Sequence, residues 1–69
     1  MNNRILVIGS SGQIGTELVM TLREKYGEDM VVASDIRNSS YEVMNSGPFE
    51  ILDVTNEVNL ENVINKYQV

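Results

Sequence analysis

Apolar residues fall along the chain in two alternating patterns, short unbroken runs and longer stretches with a period near four. Ile5-Leu6-Val7-Ile8 is unbroken, mostly β-branched and stopped by Gly9. Such a run predicts a strand covered on both faces, the central strand of a parallel sheet. From Gln13 to Tyr26, Ile14, Leu18, Leu22 and Tyr26 recur every fourth position with Val19 beside them. This predicts an amphipathic helix with Glu17, Arg23, Glu24 and Lys25 on its wet side and Gly27 as its C-cap. Met30-Val31-Val32-Ala33 predicts a second buried strand, with Asp35 at its carboxyl end. Ile36 to Pro48 reads as a loop, because Asn38-Ser39-Ser40 and Asn45-Ser46-Gly47-Pro48 are turn signals on either side of Tyr41, Val43 and Met44. Phe49-Glu50-Ile51-Leu52 predicts a short third strand closed by Asp53, and Thr55 is placed to cap a second helix. In that helix Leu60, Val63, Ile64 and Tyr67 form one apolar stripe, and Tyr26 and Tyr67 each close a stripe as packing residues.

Strand alternating with helix predicts an α/β fold with a parallel sheet and right-handed crossovers. As half of a doubly wound sheet the strand order would be 3-2-1. The strand that pairs with the free side of the first would then come after Val69, so the fold is expected to be incomplete, with three strands and two helices.

Composition narrows the chemistry. Sixty-nine residues, 42% of them hydrophobic, make one small unit of marginal stability. There is no cysteine and no histidine, which removes disulfides, thiolate and imidazole metal sites, and mechanisms that need a Cys nucleophile or a His base. Ten acidic against five basic residues give a net charge of −5, which argues against nucleic acid or an acidic membrane surface as partner. The apolar start is too short for a signal peptide or a membrane span, so a cytoplasmic setting is expected.

The charge leaves backbone amides as the means of holding an anion, and Gly9-Ser10-Ser11-Gly12-Gln13-Ile14-Gly15 supplies them between strand and helix. Gly9 would turn the chain off the strand, Gly12 would admit a pyrophosphate, and Gly15 would let the helix pack closely on the sheet. The helix dipole favours an anion at that position. Asp35 follows the last glycine by 35 − 15 = 20 residues, the spacing of a carboxylate that accepts from a dinucleotide's ribose. A Walker-type phosphate loop is excluded, since Gly9 to Thr16 contains no lysine. Arg37 could contact a 2′-phosphate, cover an adenine or be solvated, and Asp53 could serve an adenine or the start of the following helix.

At Gly9 to Gly15, at Ala33-Ser34-Asp35-Ile36-Arg37 and at Ser46-Gly47-Pro48-Phe49-Glu50-Ile51-Leu52-Asp53-Val54, the chain resembles the extended short-chain dehydrogenase/reductases. Within them it is most similar to the bacterial L-threonine 3-dehydrogenases of the epimerase-like type, with UDP-sugar epimerases and dehydratases as near neighbours. The resemblance implies that residues 1–69 are the N-terminal part of an NAD(P)-binding Rossmann domain, without the rest of that domain or the substrate domain. It implies NAD as cofactor, held by the glycines, by the amides of Gln13 and Ile14, by Asp35 with Ile36 and Arg37 alongside, and by Asp53 and Val54 at the adenine edge. It implies a small-molecule substrate and a homodimer for the full-length protein. The family's Tyr-x-x-x-Lys pair has no counterpart, since Tyr26 is followed four positions on by Met30, Tyr41 by Asn45, and Tyr67 by two residues in all. A nucleotide-binding module with no catalysis of its own is the alternative of a different class.

Overall fold

The computed structural model describes residues 3–69. Three parallel strands, β1 (Ile5–Ile8), β2 (Val31–Asp35) and β3 (Phe49–Ile51), form one sheet in the order β1-β2-β3. Ile5 is opposite Val31 and Ala33 is opposite Phe49 in the two ladders. Within this chain the middle strand is β2 rather than β1. Accordingly Val31, Val32, Ala33 and Ser34 are all fully buried, whereas β1 lies at an edge with Ile8 52% exposed.

Helix α1 (Gln13–Tyr26) follows β1 and packs on β1 and β2. Val7, Val31 and Ala33 from one face of the sheet join Val19 of α1 and Val43 in the main core, with Phe49 packed against them. Alternation along β3 turns Glu50 to the other face. There it meets α3 (Glu57–Tyr67), accepting from Lys66 Nζ at 2.8 Å and from the Tyr67 hydroxyl at 2.6 Å. The sheet therefore carries helices on both sides, and Tyr67 is tied to it through its hydroxyl.

The face that α1 buries differs from the expected stripe. Ile14, Leu18 and Tyr26 are 83%, 47% and 50% exposed, while Val19 and Arg23 are buried. The contact line is Gly15-Val19-Arg23, one residue on from the stripe. It begins at Gly15 because a Cβ there would run into the Gly9 carbonyl oxygen and come within 3.0 Å of Ser10 Cα, so only glycine lets the helix lie that close to the turn. Arg23, expected on the wet side, ends the line with 3% exposure. Its guanidinium donates to the carbonyls of Val31, Val43 and Pro48 and to Ser46 Oγ. Burial without a carboxylate partner lowers its pKa, partly opposed by Glu28. Gly27, with φ 104°, ends α1 by donating to the Arg23 carbonyl at 2.9 Å.

Two other expectations change. The segment read as loop contains a short helix, α2 (Tyr41–Asn45), capped by Ser40, whose Oγ accepts from the Val43 amide. It forms because it buries Val43 completely and brings that residue's carbonyl to Arg23. The cap of α3 is Asn56, accepting from the Asn59 amide at 3.0 Å, and not Thr55. Thr55 is committed to Asp53, donating both its amide and its hydroxyl to Oδ1 at 3.0 and 2.6 Å in an Asx-type turn. No helix among the described residues is long and apolar enough to cross a membrane.

Candidate cofactor site

The site lies at the carboxyl end of the sheet, where β1 and β2 release the chain side by side. Gly9, with φ 84°, makes a turn that side chains resist. Its amide and that of Ser10 both donate to the Ser34 carbonyl at 2.9 Å, and Ser34 Oγ donates to the Val7 carbonyl at 2.8 Å. Ser10 is fully buried, and its hydroxyl lies 2.6 Å from that of Ser39. These contacts tie the glycine turn to β2 and to the loop that leaves it.

The first hydrogen bond of α1 runs from the Thr16 amide to the Gly12 carbonyl. The amides of Gln13, Ile14 and Gly15 therefore have no acceptor within the helix and stand at its positive end. Gly12 caps the helix with no side chain of its own, at φ −79° and ψ 169°. A Cβ on Gly12 would meet nothing within 4 Å, so this glycine faces open space, whereas Gly15 faces backbone. Gly12's own conformation is one that any residue adopts. An open hollow of about 580 Å³ lies here, lined by Val7, Ile8, the three glycines, Gln13, Ile14 and Leu18.

A second hollow of about 280 Å³ adjoins the first at Ile8 and Gly9. Asp35, Ile36, Asp53 and Val54 line it, together with Leu52 and Thr55. The Leu52 amide donates to the Asp35 carbonyl at 2.8 Å, which sets the ends of β2 and β3 beside each other and brings the two aspartates to one cleft. Asp35 Oδ2 accepts from the Ser11 amide at 2.9 Å and the Ser11 hydroxyl at 2.7 Å, and Oδ1 accepts from the Ile36 amide at 2.7 Å. These bonds, Ser11's first, hold the Asp35 carboxyl below its ordinary pKa. Thr55 does the same for Asp53, whose amide in turn donates to Asn59 Oδ1 at 3.1 Å.

Nine of the ten expected site residues thus line the two hollows, which share Ile8 and Gly9. Arg37 lines neither and is exposed, its amide 3.4 Å from Asp35 Oδ1. Ser10, Ser11, Ser34 and Asn59 were not expected. The signals for them were slight: two hydroxyls inside the glycine frame, one serine before the aspartate, and an asparagine three residues beyond the Asn56 cap. The residues fit an adenine dinucleotide, with free amides for a diphosphate next to a carboxylate for ribose and a partly apolar cleft beyond. No group of acidic side chains among the described residues could hold a metal ion.

The family model described as NAD dependent epimerase/dehydratase family matches residues 5–69. An uncharacterized epimerase/dehydratase of Staphylococcus haemolyticus is 47% identical over 66 residues, covering 94% of this chain and 21% of that protein. Among solved structures, L-threonine dehydrogenase from Clostridium difficile is similar with a TM-score of 0.90 and 45% identity, over 99% of this chain and 22% of its own. L-threonine dehydrogenase from Phytophthora infestans has a TM-score of 0.84 and 36% identity, over 97% and 20%. The chain spans about a fifth of the length of these relatives. It belongs to the NAD dependent epimerase/dehydratase family, whose cofactor, NAD, is the dinucleotide read from the glycine spacing.

Proposed function

We propose that these residues seat the adenosine diphosphate half of NAD. The observation that carries this reading is the adjacency, across Gly9, of the free amides of α1 and the fixed carboxylate of Asp35. The diphosphate is held by the amides of Gln13 and Ile14 above Gly12, where no Cβ intervenes. Asp35 accepts from the ribose. Ile36 and Val54 flank the adenine, with Asp53 accepting from its exocyclic amine and the Val54 amide donating to a ring nitrogen. Two carboxylates at the cleft and a net charge of −5 favour NAD over a cofactor with a further phosphate.

Bound NAD supplies a hydride acceptor. In a longer protein carrying this segment, the reaction we infer is oxidation of the 3-hydroxyl of L-threonine, a reading supported by the 45% identity to a threonine dehydrogenase. The named epimerase/dehydratase relatives support a second reading, a nucleotide-sugar epimerase or dehydratase. Either would be cytoplasmic and take a small-molecule substrate. The residues of this chain bind and orient. With no histidine, no cysteine and no Tyr-x-x-x-Lys, none of them is placed to take the proton from an alcohol.

Saturation-transfer NMR of the chain with NAD tests the reading. Saturation should be strongest on the adenine and its ribose and weakest on the nicotinamide. Equal saturation along the cofactor, or none, would contradict it.

A further inference from the structure

We propose that Ser11 is a positioning residue that makes the site choose a free 2′-hydroxyl over a 2′-phosphate on the adenosine ribose. The proposal rests on the NAD reading above and adds to it a residue that the glycine motif does not specify.

Ser11 is the one residue of the turn whose amide and side chain both reach β2. Both donate to the same oxygen of Asp35, at 2.9 and 2.7 Å, while the Ile36 amide holds the other oxygen at 2.7 Å. With the longer bond from the Arg37 amide to Oδ1 at 3.4 Å, four donors on two oxygens stop the carboxylate from swinging. Without the hydroxyl, Oδ2 keeps a single amide, and Asp35 is exposed enough to turn away from an incoming phosphate.

The hydroxyl also determines what this rim offers a ligand. Ser11 spends its only hydroxyl proton on Asp35 and presents lone pairs outward. The amides of Gly9 and Ser10 are taken by the Ser34 carbonyl, and that of Ser11 by Asp35. The three turn amides nearest Asp35 and the Ser11 hydroxyl are therefore all spent within the protein, and this part of the rim offers a ligand acceptors. A 2′-hydroxyl, which can donate, is matched there, whereas a 2′-phosphate brings only acceptors and negative charge. The contact between Ser10 and Ser39 at 2.6 Å fixes the turn against the loop after β2, so the rim keeps its shape. Arg37 is the nearby cation that could offset the repulsion, and it is exposed and lines neither hollow.

The test uses the 69-residue chain as wild type, Ser11→Ala and Ser11→Thr, each checked for native circular dichroism. Affinities for NAD and NADP are measured by NMR titration, and the Asp35 carboxyl is titrated by carbon-detected NMR without ligand. The ratio of NAD to NADP affinity should fall about three- to tenfold in Ser11→Ala, about the net worth of one ordinary hydrogen bond at a partly exposed site, and be kept in Ser11→Thr. The Asp35 pKa should rise in Ser11→Ala and stay low in Ser11→Thr. A wild type that prefers NAD, with an unchanged ratio in Ser11→Ala, overturns the role of Ser11 alone. So does equal tightening toward both cofactors, which would make the hydroxyl a plug. A wild type that binds neither cofactor overturns the NAD reading and this proposal together.

Discussion

Arg23 Nη2 donates to the carbonyl oxygen of Pro48 at 2.6 Å, joining the third turn of α1 to the residue just before β3. The same fork reaches the first residue of β2 through two donors to the Val31 carbonyl, at 3.1 and 3.0 Å. Gly47 makes room for it, since a Cβ there would stand 2.7 Å from Arg23 Nε. One buried cation thus donates to three carbonyls, in β2, in α2 and in the approach to β3. Arg23→Met should cost about 2 to 4 kcal/mol, because the buried Val31 and Val43 carbonyls would lose these donors, although Pro48 keeps the Ala33 amide at 3.0 Å. Arg23→Lys should recover little, as an ammonium lacks the planar fork. Urea denaturation of the three proteins checks this, and a loss below about 1 kcal/mol in Arg23→Met would show that the carbonyls find water instead.

Gly15 and Gly12 should behave oppositely. In Gly15→Ala the added methyl meets the Gly9 carbonyl, so the helix must move off the turn, at about 3 kcal/mol and with loss of dinucleotide binding. In Gly12→Val the protein itself has room and the backbone is unstrained, so stability should change by less than about 1 kcal/mol while NAD affinity falls more than tenfold. Thermal melts paired with titration separate the two, and a Gly12→Val protein with near-normal affinity would remove the diphosphate from this turn.

Strand positions, the span of α1 and the order of the sheet were legible because unbroken β-branched runs and a four-residue period carry them. The rotation of α1 was not. Counting apolar letters starts the stripe at Ile14, but the helix is set by where Gly15 lets it approach, and its line of contact then ends on an arginine that hydrophobicity assigns to solvent. Ser40 and Asn56 were hidden for another reason. Asn38, Ser39 and Ser40 stand in a row at the first place and Thr55 and Asn56 at the second, and only the packing of Val43 and the turn at Asp53 decide which of them caps a helix. At the site, residue types at fixed spacing located Asp35 and Asp53. The donors that fix them, Ser11 and Thr55, follow from the path of the chain in space.

Acid should weaken the chain through Glu50, Asp35 and Asp53, whose carboxyls all lie below their ordinary pKa. A depressed pKa gives stability that is present above the unfolded value, about 4, and is lost as pH falls through the folded value. For Glu50 the causes are Lys66 first and then the Tyr67 hydroxyl, and because Lys66 is exposed the solvent screens the pair and its effect on stability is small. Glu50→Gln should therefore be less stable than wild type at pH 7, with the gap closing below pH 4. A gap that is independent of pH would assign the loss to packing.

Incubating the purified chain with NAD and L-threonine should give no NADH, since the sequence has no Tyr-x-x-x-Lys and no histidine or cysteine to replace it. Turnover that follows the protein through purification would show a proton acceptor that the residues do not reveal.

The central claim is that Gly9, the first turn of α1 and the ends of β2 and β3 form one seat for an adenine dinucleotide. The measurement that tests it most directly is a proton-nitrogen correlation titration of the chain with NAD, repeated in Gly12→Val. Shifts should concentrate at Gly9, Gly12, Gln13, Ile14, Asp35, Ile36, Asp53 and Val54, saturate together, and be lost in Gly12→Val. Shifts that are absent, that cluster near Arg23 and Glu28, or that persist in Gly12→Val would contradict it.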